Sequence, residues 1–300
     1  MAIIILGAKG MLGHALVDVF SRDHDVLAWD QEELDITDAN AVRRRFHEMR
    51  PRFVINAAAF TDVDGAETDT RAANLVNGAA VALLAEACVE WGSTFVHYST
   101  DYVFDGENPK GYDEDWMPTK PVNAYGQSKL LGEQALWRIG LERLPFYLIR
   151  TSWLYGPHGK NFVDTMLKLG RTQKEMRVVN DQHGKPTYTY DLAHATLEIV
   201  SGDEEKYEPG VYHVTNETSR SAPQSEAAEG ITWYDFALEI FRLARLPVRV
   251  VPISSEEFLR SAGPARAKRP RYSILTNTKL FRRRPWEEAL QEYLETGSGN

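Results

Sequence analysis

Three glycines near the beginning of the chain do most to limit its fold. Gly7, Gly10 and Gly13 recur at every third position of Gly7-Ala8-Lys9-Gly10-Met11-Leu12-Gly13. Before them stands an apolar, β-branched run, Ile3–Leu6, which reads as a buried parallel strand. After them Met11, Leu12, Ala15, Leu16, Val19 and Phe20 repeat at helical spacing. Glycine is required where backbone must turn tightly and approach a pyrophosphate without a Cβ in the way. A helix starting near Met11 would aim its amides and positive dipole end at that anion. No Gly-Lys-Ser/Thr closes the loop, so it is not the phosphate loop of nucleoside triphosphatases.

The rest of the first half alternates in the same way. Strands are expected at 26–29, 53–56, 94–98 and 146–150, and helices at 38–49, 71–91 and 125–139, with Asp38 as a cap and Gly92 as a stop. Regular alternation predicts an α/β fold, a doubly wound parallel sheet of Rossmann type. Beyond residue 150 the pattern loosens. Helices are expected at 162–169, 191–200, 233–243, 256–261 and 286–294, and strands at 177–179 and 211–214, the last returning to the main sheet. Residues 217–230, rich in Ser, Ala and Glu with no apolar period, read as a surface loop. The expected division is a dinucleotide-binding domain of residues 1–152 and 187–216, and a smaller C-terminal substrate lobe of residues 153–186 and 217–300.

Composition removes whole classes of function. The 300 residues carry 43 Asp+Glu against 34 Lys+Arg, a net charge of −9, so neither nucleic acid nor an anionic membrane surface is expected as a partner. The single cysteine, Cys88, excludes an intrachain disulfide and a multi-thiolate zinc site; it reads as packing in the long Ala-rich helix. The apolar start lacks a basic flank and is too short for a signal peptide, and a cytoplasmic location is expected.

A dinucleotide site needs a ribose partner after the second strand. Asp30 follows Gly13 by 17 residues, and a carboxylate there accepts ribose hydroxyls and repels a 2′-phosphate, which favours NADH over NADPH. If Asp30 is instead only a loop residue, Asp35 and Ile36 would flank the adenine. Ala57, Ala58 and Ala59, small residues ending the third strand, would let a cofactor lie close over the sheet. The chemistry is expected at Tyr125-Gly126-Gln127-Ser128-Lys129, because Tyr and Lys four apart project from one helix face. An ammonium there is expected to lower the phenol pKa from ~10 and make Tyr125 a general acid–base, with Lys129 also holding the nicotinamide ribose. Thr100, ending the fourth strand, supplies a hydroxyl for the same substrate oxygen.

Loop, hydroxyl, tyrosine and lysine in this order resemble the extended branch of the short-chain dehydrogenase/reductase superfamily. The resemblance sharpens at 56–67, at Thr100-Asp101-Tyr102-Val103-Phe104, at 125–133, at Arg150-Thr151-Ser152-Trp153 and at Lys268-Arg269-Pro270. Together these look like the dTDP-4-dehydrorhamnose reductase family. That family reduces the C4 ketone of dTDP-4-dehydro-L-rhamnose to dTDP-L-rhamnose, a precursor of bacterial surface polysaccharide. By this resemblance Thr61, Val63, Tyr102, Val103, Phe104 and Trp153 would frame the deoxysugar, and Asn161 and Arg269 would approach the rest of the sugar nucleotide. Some members form a metal-bridged dimer through a glutamate two positions after the third glycine. Ala15 stands there, so no metal is expected, and the chain is expected to be a monomer or a homodimer. Tyr272 stands where the family prefers Asn. Two alternatives remain open at this stage: another sugar-nucleotide epimerase or reductase of the same branch, and a binding protein like the regulatory subunit of methionine adenosyltransferase. A 4,6-dehydratase is disfavoured, since Tyr102 replaces the glutamate such enzymes carry after Thr-Asp.

Overall fold

The computed structural model describes residues 2–202, 206–218, 230–262, 266–281 and 283–296. The first half runs β1 (Ile3–Leu6), α1 (Met11–Phe20), β2 (Val26–Trp29), α2 (Ala39–Met49), β3 (Phe53–Asn56), α3 (Val63–Thr68) and α4 (Thr70–Asn74). A π-helical turn, Leu75–Ala79, leads into α5 (Ala80–Trp91), followed by β4 (Thr94–Thr100), a 3-10 turn at Asp101–Val103, α6 (Ala124–Ile139) and β5 (Phe146–Thr151). Then come β6 (Leu154–Tyr155), α7 (Phe162–Gly170), β7 (Glu175–Val179), β8 (His183–Gly184), β9 (Thr187–Tyr188), α8 (Thr189–Ser201) and β10 (Gly210–His213). The chain closes with β11 (Ile231–Thr232), α9 (Trp233–Leu243), β12 (Arg249–Ile253), α10 (Ser255–Ala262) and α11 (Trp286–Thr296).

Six strands form one parallel sheet in the order β10-β5-β4-β3-β1-β2. Strand side chains alternate between faces, and the apolar residues of β1 divide accordingly. Ile3 and Ile5 enter a core with Leu12, Leu16 and Phe20 of α1 and Leu192 and Ile199 of α8. Ile4 and Leu6 enter the opposite core with Val42 and Phe46 of α2 and Val81, Leu84 and Cys88 of α5. Strands buried on both faces read as continuous apolar runs, which is why this half was legible. The expected packing role of Cys88 holds: it is fully buried.

Three expectations hold. Asp38 caps α2, its carboxylate accepting the amides of Asn40 and Ala41. Gly92 ends α5 at φ +67°, and β10 returns to the sheet beside β5. The expected 71–91 helix is instead two helices joined by the π-helical turn. Its apolar span, Thr70–Trp91, is long enough to cross a membrane by composition but is half buried among its neighbours. Of the expected 217–230 loop, residues 219–229 lie outside the described residues.

A third core sits beside the sheet. Tyr155, Tyr188, Val163 and Met166 pack with Phe236 and Ile240 of α9 and Trp286 and Tyr293 of α11. There β7 pairs in parallel with β12.

The sheet order reverses between β1 and β3, the crevice where doubly wound folds bind ligands. The contact there is as close as backbone allows. A methyl carbon built on Gly13 falls 2.0 Å from the carbonyl oxygen of Gly7, an atom with no side chain to rotate away. Gly13→Ala is therefore expected to cost about 1–3 kcal/mol or more, read as a lower urea midpoint; an unchanged midpoint would show slack in the loop.

Candidate active site

Gly7 turns the chain out of β1 at φ +75°, a conformation that favours glycine. A Cβ on it would stand 2.6 Å from the Ala58 amide nitrogen, so the loop lies directly against the end of β3. Gly10 precedes α1 with no side-chain cap, and no acidic residue occupies the first turn. The amides there and the helix dipole together make an anion site. The Asp30 carboxylate is fixed at the end of β2 by the Lys9 amide at 2.9 Å and the Gln31 amide at 2.8 Å.

Several of the expected cofactor residues meet this cradle differently. Ala57, Ala58 and Ala59 are partly exposed at the strand end. Leu12 and Ile36 bury their side chains in the two cores, so only their backbone can face a ligand. Asp35 is occupied by Thr37, whose amide and hydroxyl bond the same carboxylate oxygen and lower its pKa.

The second arm of the site is α6. Asn123 caps it, its side-chain oxygen accepting the Gly126 amide at 2.8 Å. A Cβ on Gly126 would meet the Tyr102 carbonyl at 2.2 Å, so the helix start presses on the turn after β4. Ser128 donates to the Tyr125 carbonyl, and Asn77 donates to Ser128. Tyr125 and Lys129 thus stand one turn apart on a helix whose first turn is fixed at four points. Thr100, at the end of β4, donates to Asp101 at 2.9 Å and lies close enough to Tyr125 to lower its pKa.

Burial governs the protonation states. It raises the Tyr125 pKa, helped by the Asp101 charge and only partly opposed by Thr100. The expectation of a lowered Tyr125 pKa is corrected: burial raises it, and the phenol keeps its proton. Lys129, 3% exposed, is lowered to about 8 by burial against the opposing pull of Glu133. Among the described residues no carboxylate forms an ion pair with it. Asp101 is raised to about 7 by burial, against hydrogen bonds from Ser273 and Thr100.

The residues expected to frame a sugar separate into two groups. Tyr102 lies beside Tyr125, ring centroids 6.0 Å apart and edge to face. Its hydroxyl interacts with the Arg269 guanidinium, which lowers the phenol pKa against burial and meets Asp64 at 2.5 Å. Arg269 and Arg266, with the Ala267 amide, hold Asp64 well below the usual carboxylate range although burial works the other way. Trp153 takes a left-handed backbone, φ +47°, and stacks on Trp233 with centroids 3.5 Å apart. Thr61 is exposed and Val63 half-buried at the start of α3.

Two expectations are corrected. Val103 and Phe104 are both 0% exposed, with Phe104 stacked on Tyr112 at 4.3 Å, so they are core and not cleft wall. Asn161 caps α7, and its amide hydrogens go to the Gly156 carbonyl and the Asp164 carboxylate. It ties the 156–161 loop down beside Met11 instead of facing a ligand. Sequence reasoning missed Asn123, Asp64 and Trp233; Asn123, one residue before a helix, carried the cap signal.

The raised Asp101 pKa sets a pH dependence. The unfolded carboxyl ionises near pH 4 and the folded one near 7. Below the first value both states hold the proton and the fold bears no cost. Between the two values the unfolded chain has ionised while the folded one keeps its proton, so stability falls by about 4 kcal/mol as pH rises from about 4 to 7 and levels off above. Asp101→Asn removes that slope, so its urea midpoint relative to the parent should rise between pH 4 and 8. A constant difference across that range would remove the buried acid.

Comparison with known proteins places the chain in a family. The family model described as the RmlD substrate binding domain matches residues 1–298. A curated dTDP-4-dehydrorhamnose reductase from Streptomyces griseus is 41% identical, covering 96% of this chain and 91% of that protein. The spore coat polysaccharide biosynthesis protein SpsK of Bacillus subtilis is 38% identical over 99% of this chain and 98% of its own. A crystal structure of dTDP-4-dehydrorhamnose reductase from Bacillus anthracis in complex with NADP superposes with a TM-score of 0.86 at 38% identity, covering 98% of this chain and 99% of that one. With its model matched almost end to end and relatives this similar at full length, the chain belongs to the RmlD substrate binding domain family.

Proposed function

We propose that this chain reduces the C4 ketone of dTDP-4-dehydro-L-rhamnose to dTDP-L-rhamnose with a nicotinamide cofactor, as a cytoplasmic enzyme acting on a small-molecule substrate. The observation that carries the reading is the meeting of two arms at the sheet's carboxyl edge. One is the glycine cradle that a single Cβ would fill. The other is a protonated Tyr125 flanked by Thr100 and Lys129. The names of the relatives support the same substrate class.

The cradle fits a dinucleotide. Gly7, Gly10 and the amides of Met11, Leu12 and Gly13 would take the pyrophosphate, Asp30 the adenosine ribose, Ala57–Ala59 the backbone approach and Lys129 the nicotinamide ribose. When bound, the nicotinamide supplies the hydride that reduces C4. Tyr125 gives its phenolic proton to the C4 oxygen, and Thr100 hydrogen-bonds that oxygen beside it. The phenolate left on Tyr125 is stabilised by the Lys129 ammonium. A phenol that begins protonated is the form a reductase needs. Tyr102, Trp153, Thr61 and Val63 would frame the deoxysugar, and Arg269 would steady the wall they form. Residues 1–152 and 187–216 are assigned to the cofactor domain, and 153–186 and 217–300 to the substrate lobe.

The decisive assay incubates the protein with dTDP-4-dehydro-L-rhamnose and NADH, following nicotinamide absorbance and product identity. Consumption giving dTDP-L-rhamnose is expected; none with either NADH or NADPH overturns the reading. Tyr125→Phe is expected to lower turnover by about 10²–10⁴-fold with NADH binding retained, and unimpaired turnover would remove Tyr125 from the acid role. Asp30 favours NADH, so kcat/KM should be higher with NADH than with NADPH, and Asp30→Ser should narrow the ratio. An unchanged ratio in that variant would place cofactor selection elsewhere.

A further inference from the structure

One turn beyond Lys129 on α6 lies Glu133, 1% exposed. Carboxylate and ammonium four residues apart on a helix ordinarily attract one another. Here Glu133 turns instead to β5. Its Oε1 accepts Nε of Arg150 at 3.0 Å and the Ser99 hydroxyl at 2.5 Å, and its Oε2 accepts Nη2 of Arg150 at 2.7 Å. Arg150, 3% exposed, directs Nη1 toward Nε2 of His213 at 3.4 Å and lies 5.1 Å from the Phe104 ring centroid. Nδ1 of His213 faces the carbonyls of Tyr112 and Thr276, which places its hydrogen there and leaves Nε2 as acceptor. Ser99, Arg150 and His213 are register partners across β4, β5 and β10, so the sheet itself holds this row.

A buried ion pair is a weak source of stability, since apolar residues of similar volume often serve as well. Its place in the fold is the more informative fact. We infer that Arg150 is a positioning residue for Lys129: by engaging Glu133 in a two-pronged ion pair, it keeps that carboxylate from capturing the ammonium. Without the guanidinium, Glu133 would be a buried carboxylate bonded to Ser99 alone, and Lys129 is the cation one turn away. Capture would draw the ammonium inward and hold its proton more tightly. The other titratable groups nearby are His97 of β4, which couples to Lys129 directly, Tyr125 one turn back on the same helix with Asp101 acting on it, and His213 of β10 against Arg150. Burial keeps both histidines neutral, and burial keeps Tyr125 protonated. The charge that Lys129 senses most, the Glu133 carboxylate, is therefore the one Arg150 controls. The catalytic consequence rests on the reductase reading; the electrostatic one does not.

The test titrates Lys129 by NMR of ¹³Cε-labelled lysine in the full chain without cofactor or sugar, the signal assigned with Lys129→Met. In Arg150→Met the midpoint should rise by about one to three pH units. In Glu133→Gln it should fall, and in the double variant it should return below that of Arg150→Met. The pH profile of kcat/KM for ketone reduction should move in the same directions. A merely structural pair would lower the melting temperature of every variant without moving the midpoint in opposite senses. Unmoved midpoints in folded variants overturn the inference. If Arg150→Met does not fold, Glu133→Gln decides, a fall supporting the inference and no change overturning it. Shifted midpoints in a protein that reduces no ketone would leave the positioning role standing and defeat the reductase reading; reduction with unmoved midpoints would do the reverse.

Discussion

The contact between Gly13 and the Gly7 carbonyl leaves no room for one additional carbon, and the geometry of the cofactor cradle follows from it. Because α1 sits that close, its uncapped N-terminus is delivered to the crevice where the sheet order reverses. Gly7 in turn lies against Ala58, so β1 and β3 share one rim. A second contact of the same kind seats the other arm. Gly126 leaves no room against the Tyr102 carbonyl, and this brings the start of α6 onto the end of β4. Two helix starts thus converge on one sheet edge through backbone contacts that only glycine permits. The side chains proposed to react inherit their placement from them.

The electrostatics are local and run against the total. A chain with net charge −9 is proposed to bind two anionic ligands. The attraction comes from oriented amides and from a lysine without an ion-pair partner among the described residues, not from surplus basic side chains. Burial then sets the protonation states. Tyr125 is raised, Lys129 is lowered and Asp101 is raised, each with desolvation as the largest cause. The expectation of a low Tyr125 pKa weighed a neighbouring charge and left out the loss of water, which the sequence does not display.

What was legible had a local cause. The glycine loop, the Asp38 cap, the Gly92 stop and the Tyr125–Lys129 face each depend on residues within one turn or one strand end, so spacing alone revealed them. The failures depended on distant partners. Val103 and Phe104 belong to a motif beside the site, but their neighbours Tyr112, Leu130 and Leu275 decide that they face the core. The break in the Ala-rich helix falls where Gly132 of α6 would meet the Asn77 carbonyl, a contact across 55 residues. Pairing of β7 with β12 and the stacking of Trp153 on Trp233 span longer distances still. Asn161 differs: its cap signature was local, and the resemblance to a substrate-contacting position displaced it.

The wall formed by Asp64, Arg266, Arg269 and Tyr102 shows why counting basic residues misleads at such a site. Both guanidiniums converge on one carboxylate, and that carboxylate stays ionised because they do. The trio therefore carries one net positive charge, spread over partly exposed groups and screened by solvent. The Nη1 of Arg269 is committed to both the Ala267 carbonyl and the Asp64 carboxylate. This arrangement suits holding a shape more than gripping a phosphate. It braces the ring that stands edge-on to Tyr125 and joins the C-terminal segment to α3 across more than 200 residues of sequence. In the proposed cofactor complex, holding the pyrophosphate would thereby fall chiefly to the backbone amides of the glycine loop, whose positive ends need no counter-ion.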